Sequence, residues 1–315
     1  MKAAVLFIVF NRPSATRLAF EAIRAARPPR LYIAGDGPRA HARGEEALCS
    51  LARQIATQVD WPCELRTRFS DTNHGCRGVA NSLSWFFNHE EEGIIIEDDV
   101  VPLPSFFDYC EELLDRYRHV PEVGLIVGSN YIQRAYSAPQ SYFFTSYFHV
   151  WGWATWRRTW NLYDGALTSW PAWLAEGGFG EHFSDPKERA YWQQVLQDVY
   201  DRKIDTWAYQ LMFMCWRLRL LVAYPNVNLV ENIGFGDEAT HTKGDVPLYV
   251  VESPPSPIRF PLTHPPLLAK NDAADREIWR RVYHRSFRVK LRRFLRHWLR
   301  VARPHSNKPR MDHSP

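Results

Sequence analysis

The sequence predicts an α/β protein with a mainly parallel central sheet that is flanked by helices. The clearest strand is Ile94-Ile95-Ile96, an apolar, β-branched run without polar alternation, which is typical of a strand buried on both faces. Similar runs alternate along the chain with segments of helical spacing, which indicates parallel strands joined by crossover helices. With 315 residues, of which 45% are hydrophobic, the chain is long enough to bury the core of a large sheet.

The first 130 residues follow this rhythm from strand to helix. The predicted strands span residues 3–10, 31–34, 63–69, 94–96 and 123–127, and the predicted helices span 15–26, 44–58, 77–89 and a segment that starts at Pro104. Ser14 is the expected N-cap of the first helix. The apolar start of the chain ends at Asn11-Arg12-Pro13 without a small-residue cleavage site, so we interpret it as a strand and not as a signal peptide.

Residues 131–250 are richer in aromatic side chains and are predicted to form the second half of the same domain. Strands are expected at 142–145 and near 220–224, a loop at 161–186, helices at 187–202 and 206–218, and a short helix that follows Trp151–Trp156 and ends near Trp160. Beyond this half, we predict a proline-rich extended segment at 251–274, a basic amphipathic helix at 275–303 and a disordered tail at 304–315.

Positive charge is concentrated near the C-terminus. Residues 276–303 contain ten Arg and one Lys against Glu277, whereas the whole chain has a net charge of only +4, so residues 1–275 are net negative. Such a basic helix predicts an anionic partner, and we expect an anionic membrane surface, with packing on the acidic body as the alternative. Nucleic acid is not an expected partner, because no recognition motif accompanies the charge.

Cysteine usage and missing motifs narrow the class of protein. The five cysteines are odd in number and show no CxxC spacing, which predicts free thiols in a reducing compartment such as the cytoplasm. No apolar stretch approaches the length of a membrane span, so membrane association is expected to be peripheral, at the inner face. The GxGxxG and GxxxxGK[ST] signatures are missing, which argues against a dinucleotide-dependent oxidoreductase and a P-loop NTPase.

Three adjacent acids, Glu97-Asp98-Asp99, follow the Ile94-Ile95-Ile96 strand. Like charges repel, and their burial is costly unless a cation or hydrogen-bond donors compensate for it. Ligands of open α/β sheets bind at the carboxyl ends of the strands, where these acids are expected. Oxygen ligands suit Mg²⁺ or Mn²⁺, so the triplet predicts a metal site, with a solvated turn as the alternative.

Further charged residues follow other predicted strands or precede helices. Asp36 lies in a Gly-Asp-Gly turn after the second strand, where it is placed to contact a base or ribose or simply to suit the turn. Arg12 follows the first strand and Arg77 lies near a helix N-terminus, a position that suits phosphate. For both arginines a solvated surface position is the alternative.

Asp205 and His241 each allow two interpretations. Asp205 precedes a predicted helix and fits an N-cap, with Thr206 as the first helical residue. Alternatively, it is a general base whose pKa is raised by the apolar neighbours Ile204 and Trp207. His241 lies in a polar loop and is a candidate metal or phosphate ligand, although a lone loop histidine is usually neither.

The order of these blocks resembles the GT-A fold glycosyltransferases, and most closely N-acetylglucosaminyltransferase I and its bacterial relatives, over roughly residues 4–245. The blocks that carry the resemblance are Phe10-Asn11-Arg12-Pro13, Gly35-Asp36-Gly37, Gly75-Cys76-Arg77, Ile94–Asp99, Pro104–Phe107, Phe148–Trp153, Asp205-Thr206-Trp207 and Pro225–His241. The chain departs from that family in having no N-terminal membrane anchor and in carrying the basic C-terminal helix.

The resemblance implies transfer of a sugar from a nucleotide-diphosphate donor, expected to be a UDP-sugar, to a saccharide or lipid-linked glycan, with inversion at the anomeric carbon. It implies dependence on Mn²⁺ or Mg²⁺, with Asp99 as the direct metal ligand and with Glu97 and Asp98 holding ribose and metal-bound water. Metal and cations would stabilise the departing diphosphate.

By the same resemblance, Arg12 and Asp36 contact the nucleotide, Arg77 contacts its phosphates and Asp205 deprotonates the acceptor hydroxyl. The 1–130 half then binds the nucleotide sugar and the 131–250 half binds the acceptor.

The sequence leaves two other functions open. One is a non-catalytic nucleotide-sugar or carbohydrate-binding protein; the other, a sugar-nucleotide pyrophosphorylase, is disfavoured because no glycine- and lysine-rich loop follows the first strand.

Four residues are candidates for the sugar and acceptor pocket. Trp151, Gly152 and Trp153 would lie where sugar and acceptor meet, and Trp207 follows the candidate base Asp205. Indole rings stack on pyranose faces, and a glycine lets the backbone approach closely. The alternative is that these tryptophans fill the core beneath a loop.

Overall fold

The computed structural model describes residues 1–235 and 246–284. Its centre is an eight-stranded mixed sheet with the strand order β3-β2-β1-β4-β8-β6-β9-β7, in which only β8 and β7 run antiparallel to their neighbours. Its strands are β1 (Ala4–Val9), β2 (Arg30–Gly35), β3 (Glu64–Phe69), β4 (Glu92–Glu97), β6 (Val123–Val127), β7 (Tyr142–Thr145), β8 (Trp153–Trp156) and β9 (Leu221–Pro225). A separate two-stranded sheet pairs β5 (Val100–Pro102) with β10 (Val230–Asn232).

Helices connect the strands and cover both faces of the sheet. In the first half they are α1 (Pro13–Ala26), α2 (Glu45–Ala56), α3 (Cys76–His89) and α4 (Pro104–Tyr117). In the remainder they are α5 (Arg157–Trp160), α6 (Trp170–Ala175), α7 (Gly178–His182), α8 (Pro186–Tyr200), α9 (Ala208–Arg217), α10 (Leu248–Val251) and α11 (Asp272–Ile278), the last continued by a π-helical turn, Trp279–Tyr283.

The core has one layer on each face of the sheet. Alternate residues of β1 point to opposite faces, with Phe7 on one side and Leu6 on the other, so the strand is buried on both sides as its apolar run predicts. Helices α1 and α4 pack on the Phe7 face, whereas α3, α8 and α9 pack on the Leu6 face. The prediction of a large, mainly parallel sheet flanked by helices is confirmed in this coarse form.

The region after residue 150 differs from the predictions in two ways. The short helix expected after Trp156 is present as α5, but residues 153–156 before it form an unpredicted strand, β8, which inserts between β4 and β6 and pairs antiparallel with both. Residues 161–186 were expected to be loop-rich and aromatic, and they also contain the short helices α6 and α7, which were not predicted. Partners distant in sequence fix these elements, because Trp153–Trp156 is buried in the sheet and Trp170, the first residue of α6, packs edge-to-face on Phe213 of α9.

The C-terminal helix begins earlier than predicted. It starts at Asp272 and not at residue 275, because the Asn271 side chain caps it by accepting a hydrogen bond from the Ala274 amide (3.0 Å). Ile278, Trp279 and Tyr283 are buried against the body, so this part of the predicted basic helix packs on the protein. The remainder of that helix and the predicted 304–315 tail lie outside the described residues.

Three smaller predictions concern the cap, the cysteines and membrane spans. Ser14 does not cap α1; the N-cap is Arg12 and Pro13 is the first helical residue, whose missing amide hydrogen costs nothing there. All five cysteines are free, as predicted. In the described part of the chain, no helix has both the length and the apolar character to cross a membrane.

Candidate functional site

The acid turn, which we define as Glu97-Asp98-Asp99, joins the central strand β4 to β5 at the carboxyl end of β1 and β4. The backbone amide of Asp98 donates to the Ile8 carbonyl (2.9 Å), and its carboxylate oxygen Oδ2 accepts from the Phe10 amide (3.0 Å). The Asp98 residue is only 2% exposed. The turn is therefore fastened to the end of the neighbouring strand by a buried carboxylate.

Arg12 lies between two of the three acids. Its guanidinium Nη1 donates to Asp99 Oδ2 (2.9 Å), and Nη2 forms a short ion pair with Asp98 Oδ1. Burial lowers the Arg12 pKa, but the charges and hydrogen bonds of Asp98 and Asp99 outweigh this effect and raise it, so Arg12 stays cationic. The structure thus brings together three of the predicted site residues in one buried ion-pair network.

Glu97 is the third acid and differs from the other two. Within residues 1–235 and 246–284, no hydrogen bond or ion pair reaches its carboxyl group. Burial raises its pKa, and the charges of Asp99 and Asp98 raise it further. An acid in this setting binds either a proton or a cation more readily than a solvated glutamate does.

Oxygen ligands for a cation are present, but they do not form a closed metal cage. Among the described residues, no group of three or more His, Cys, Asp or Glu side chains is arranged to hold a metal ion. Asp98 has both carboxylate oxygens engaged by Phe10 and Arg12, whereas Asp99 Oδ1 accepts no hydrogen bond from the described residues. Mg²⁺ is often bound by one or two carboxylates together with substrate phosphates, and this donor set fits that pattern.

A segment at the end of β10 packs directly on the acid turn. The Ile233 amide donates to the Asp99 carbonyl (2.8 Å), and the Gly234 amide donates to Asn232 Oδ1 (2.9 Å). A Cβ atom on Gly234 would lie 2.1 Å from Asp99 Oδ2, so only glycine leaves room for the carboxylate there. The predicted ligand His241 lies farther along the same segment, outside the described residues.

Asp36 and Asp205 meet at the N-terminus of α3. The Asp36 oxygen Oδ2 accepts hydrogen bonds from the amides of His74 (2.6 Å) and Gly75 (3.0 Å). Gly75 has a positive φ of 58°, and a Cβ atom there would lie 3.3 Å from Asp205 Oδ2. The two carboxylates therefore lie at the same helix N-terminus.

Cys76, at the first position of α3, is buried next to Asp205, and the sequence interpretation assigned it no role. Its thiol donates to the backbone carbonyl of Asp205 (3.5 Å). Burial raises the pKa of the thiol to about 12, and the charges of Asp205 and Glu97 contribute to the increase. Because Asp36 follows β2 and accepts from the His74 and Gly75 amides, the α3 N-terminus lies at the same carboxyl edge of β2, β1 and β4 as the acid turn.

The predictions for Asp205 and Arg77 can also be compared with the structure. The N-cap interpretation of Asp205 is wrong, because α9 begins at Ala208 with Trp207 as its N-cap. Asp205 is exposed, so the apolar enclosure expected from Ile204 and Trp207 is not found either. Arg77 is exposed on the first turn of α3 and, among the residues that the structure describes, forms no ion pair.

The four predicted pocket residues separate into two groups. Trp153 and Trp207 are buried, with stacked rings whose centroids are 5.9 Å apart, so both belong to the core, as the alternative interpretation had it. Trp151 is half-buried and lies edge-to-face against Phe235 (5.9 Å), beside the segment that covers Asp99. Gly152 has a φ of 68°, and a Cβ atom there would lie 2.8 Å from Val230 Cγ1.

An aromatic cluster around Trp151 was missed by the sequence interpretation. Tyr131 lies edge-to-face against His149 (5.0 Å), Trp151 (5.5 Å) and Tyr249 (5.3 Å). Burial raises the Tyr131 pKa, and smaller contributions come from Tyr224, Tyr249 and Asp99. The signal in the sequence was weak, because Tyr131 and Tyr249 are far from each other and from Trp151 along the chain, and only the fold brings their rings together.

Comparisons with known proteins give only distant structural similarity. No protein-family model matches the chain, and no curated protein matches it. Solved structures with partial similarity include S. aureus TarS (TM-score 0.29, 12% identity, covering 45% of this chain and 24% of that chain) and S. aureus TarS 1–349 (0.32, 10%, 50% and 47%). A third is UDP-glucose pyrophosphorylase complexed with UDP-glucose (0.27, 11%, 47% and 64%).

The similarity covers less than two thirds of each of these three structures. At these TM-scores it carries no argument about the activity of this chain. The resemblance to N-acetylglucosaminyltransferase I therefore stays a prediction, and the functional argument rests on the geometry of the site.

Proposed function

We propose that the chain is a GT-A type glycosyltransferase that moves a sugar from a nucleotide-diphosphate donor, UDP-linked, to a saccharide or lipid-linked glycan. The observation that carries this proposal is the buried network of Arg12, Asp98 and Asp99 at the carboxyl edge of the sheet, with the α3 N-terminus at the same edge. Such an edge is where open α/β sheets bind nucleotides. Oxygen ligands, a fixed cation and a helix N-terminus are the groups that a metal-bound diphosphate requires.

Mn²⁺ or Mg²⁺ fits the acid turn as a shared ligand of protein and donor. Asp99 would hold it through Oδ1, the oxygen that Arg12 does not engage, and Glu97 is the second carboxyl group within the turn. When bound, such an ion neutralises charge on the diphosphate leaving group. His241 stays a proposed additional ligand.

Arg12, Arg77 and Asp36 have separate proposed roles around the donor. Arg12 is held by Asp98 and Asp99, so its charge is fixed at the place where phosphate oxygens would approach the turn. Arg77 is exposed at the first turn of α3 and able to move onto a phosphate. Asp36 is half-buried, and its Oδ1 accepts no hydrogen bond from the described residues, which leaves it for the nucleotide.

Asp98 has a different role from the one that the resemblance implies. Both of its oxygens are bonded within the chain, to Arg12 and to the Phe10 amide, and the residue is almost completely buried. We assign it the positioning of Arg12 and of the turn. Contact with ribose or metal-bound water is then left to Glu97.

Asp205 is the proposed general base. Its carboxylate would take the proton from an acceptor hydroxyl while the hydroxyl oxygen attacks the anomeric carbon. The bond from that carbon to the diphosphate breaks at the same step, and the nucleoside diphosphate leaves with the bonding electrons, which inverts the configuration. The exposure of Asp205 beside the α3 N-terminus suits a group that an acceptor must reach from solvent.

The acceptor is proposed to be lipid-linked, with the protein peripheral on the inner face of a membrane. The support is the basic sequence after Tyr283, which continues directly from the helix packed on the body. Clusters of basic residues are attracted to anionic membrane surfaces.

The test is turnover of UDP-sugars with purified protein, in the presence and absence of EDTA and of added Mn²⁺. We expect donor hydrolysis or transfer that EDTA abolishes and Mn²⁺ restores, and a loss of at least about a hundredfold in Asp99→Ala, since removing a charged group that holds the leaving group costs several kcal/mol. Full activity in Asp99→Ala would refute the metal assignment. Donor binding without turnover on any acceptor would favour a nucleotide-sugar-binding protein.

A further inference from the structure

Tyr131 and His149 each carry a buried polar atom that the fold does not use. In the described part of the chain, the hydroxyl oxygen Oη of Tyr131 and the ring nitrogen Nδ1 of His149 have no hydrogen-bond partner. Tyr131 is only 2% exposed. Because most buried polar groups are hydrogen-bonded and unpaired ones are costly, two such atoms in contacting side chains require an explanation.

Aromatic rings surround these two atoms. The His149 ring stacks on Trp151 with a centroid separation of 5.3 Å and on Tyr283 with one of 6.0 Å, and Tyr131 meets its edge at 5.0 Å. Flat apolar surfaces next to neutral hydrogen-bonding groups are the surfaces on which sugars bind, because a pyranose ring has apolar faces and polar edges.

The cluster adjoins the place where the donor's diphosphate is proposed to lie. Trp151 contacts Phe235, which follows the Gly234 that packs on Asp99. Burial lowers the pKa of His149 to about 4, so its imidazole is neutral near pH 7.

We propose that Tyr131, His149 and Trp151 bind the transferred sugar of the donor and select an uncharged pyranose. This inference rests on the proposed function and adds the sugar class. The Tyr131 hydroxyl and His149 Nδ1 hydrogen-bond to hydroxyl groups of the sugar. A uronic acid is rejected, because its carboxylate would lose its water among aromatic rings and neutral hydrogen-bonding groups.

The experiment is isothermal titration calorimetry of the full chain with Mn²⁺ and UDP, UDP-glucose, UDP-galactose, UDP-N-acetylglucosamine or UDP-glucuronic acid. We expect at least one neutral donor to bind about threefold to tenfold more tightly than UDP, the value of one or two net hydrogen bonds. UDP-glucuronic acid should bind no more tightly than UDP.

Tyr131→Phe should remove this sugar increment and leave the affinity for UDP unchanged. The hydroxyl has no partner in the ligand-free chain, so its removal should keep or raise the Tm, by at most about 3 °C. The matched control is Tyr200→Phe on the exposed face of α8, which should change neither quantity. His149→Phe keeps an aromatic ring against Trp151 and is the second test variant.

Three outcomes would overturn the inference, and each is distinct. Neutral donors that bind no more tightly than UDP, or a sugar increment that survives both Tyr131→Phe and His149→Phe, would show that the sugar lies elsewhere while the nucleotide site stands. Tighter binding of UDP-glucuronic acid would refute the selection against charge. No binding of UDP or of any donor would refute the proposed function itself, and this inference with it.

Discussion

Arg12 compensates the negative charges of the acid turn, whose carboxylates would otherwise repel one another. Its guanidinium is 14% exposed and pairs with Asp98 and Asp99, whose side chains are 3% and 17% exposed. Removing one partner of a buried ion pair leaves the other charge uncompensated. We therefore expect Arg12→Met to lower the free energy of unfolding by about 3 kcal/mol, measured by urea denaturation.

The control for this variant is Arg66→Met. Arg66 also pairs with a carboxylate, Glu64, but both side chains are largely exposed on the edge strand β3. Exposed pairs contribute about 0–1 kcal/mol, so this variant should unfold at nearly the same urea concentration as the original chain. If both variants lost the same free energy of unfolding, burial would not be the reason that the Arg12 ion pairs stabilise the protein.

Asp205 provides a second prediction at the residue scale. The capping role is excluded by the start of α9 at Ala208, so loss of the charge should leave the fold intact. We expect Asp205→Asn to keep donor affinity and Tm while transfer falls at least about a hundredfold, the usual scale for loss of a general base. Asp201→Asn, in an exposed ion pair with Lys203, is the control. Unchanged transfer in Asp205→Asn would remove it from the mechanism.

Among the secondary-structure elements, those whose local pattern agrees with their environment were predictable. β1 and β4 are apolar runs without alternation, and they occupy central positions of the sheet. β8 was not recognised, because Trp153–Trp156 becomes a strand only by pairing with β4 on one side and β6 on the other, and these contacts are distant in sequence. Local periodicity contains no information about such pairings.

The residues of the candidate site likewise divide into those that the sequence pattern predicts and those that depend on distant contacts. The acids of the acid turn and Arg12 follow strands that are visible in the sequence, so their meeting at one sheet edge follows from the parallel topology. Cys76 and Tyr131 are single residues whose roles depend on which chain segment lies against them. No periodic or charge pattern marks such residues in a single sequence.

A buried polar chain ties α8 to the loop that follows β7. The Trp192 indole donates to the Tyr147 hydroxyl (2.8 Å), which in turn donates to the Glu188 carboxylate. Burial raises the pKa of Glu188 to about 7; the hydrogen bond from Tyr147 lowers it, and the charge of Asp275 raises it further. The helix therefore carries an acid that is protonated more readily in the folded state than in the unfolded state.

Because the pKa of Glu188 is raised in the folded chain, the free energy of unfolding should fall as pH rises. Between its ordinary pKa of 4.5 and its folded-state pKa of about 7, the folded chain retains a proton that the unfolded chain releases. The stabilising contribution is full below pH 4.5 and is lost as pH rises through about 7. Glu188→Gln keeps an acceptor for Tyr147 and should be more stable than the original chain at pH 8, by about 1–3 kcal/mol.

The measurement is urea denaturation at pH 5 and pH 8. The gain of Glu188→Gln at pH 8 should be much smaller at pH 5, where Glu188 is already protonated. Glu176→Gln replaces an exposed acid at the end of α6 and should change stability at neither pH. If Glu188→Gln raised the free energy of unfolding equally at both pH values, the raised pKa of Glu188 would be contradicted, because the gain would not depend on the protonation of Glu188.

At the scale of the whole molecule, the chain from Asp272 to Tyr283 joins the acidic body to the basic sequence that follows. Ile278, Trp279 and Tyr283 are buried against α8, α9 and the loop after β7. The Asp275 carboxylate accepts from the Ser146 hydroxyl (2.6 Å) and holds the helix to the body. Basic residues after Tyr283 thus start from a fixed point on the surface.

Two truncations separate the folding role of this segment from its proposed membrane role. A chain that ends at His284 keeps the buried side chains and should retain the Tm and the donor affinity of the full chain. A chain that ends at Asn271 loses Ile278, Trp279 and Tyr283 from the core, each contributing about 1.5–3 kcal/mol when buried, and should unfold or lose most of its stability. Thermal denaturation measures the difference.

Cosedimentation with anionic liposomes then tests membrane docking. Each basic residue near such a surface contributes about 1 kcal/mol, so the full chain should bind at low salt and be released at about 0.5 M salt, where screening shortens electrostatic interactions to a few ångströms. The chain that ends at His284 should not bind, and zwitterionic liposomes should bind neither chain. Equal binding of both chains would place the membrane contact on the body, whereas no binding of the full chain at low salt would refute docking altogether.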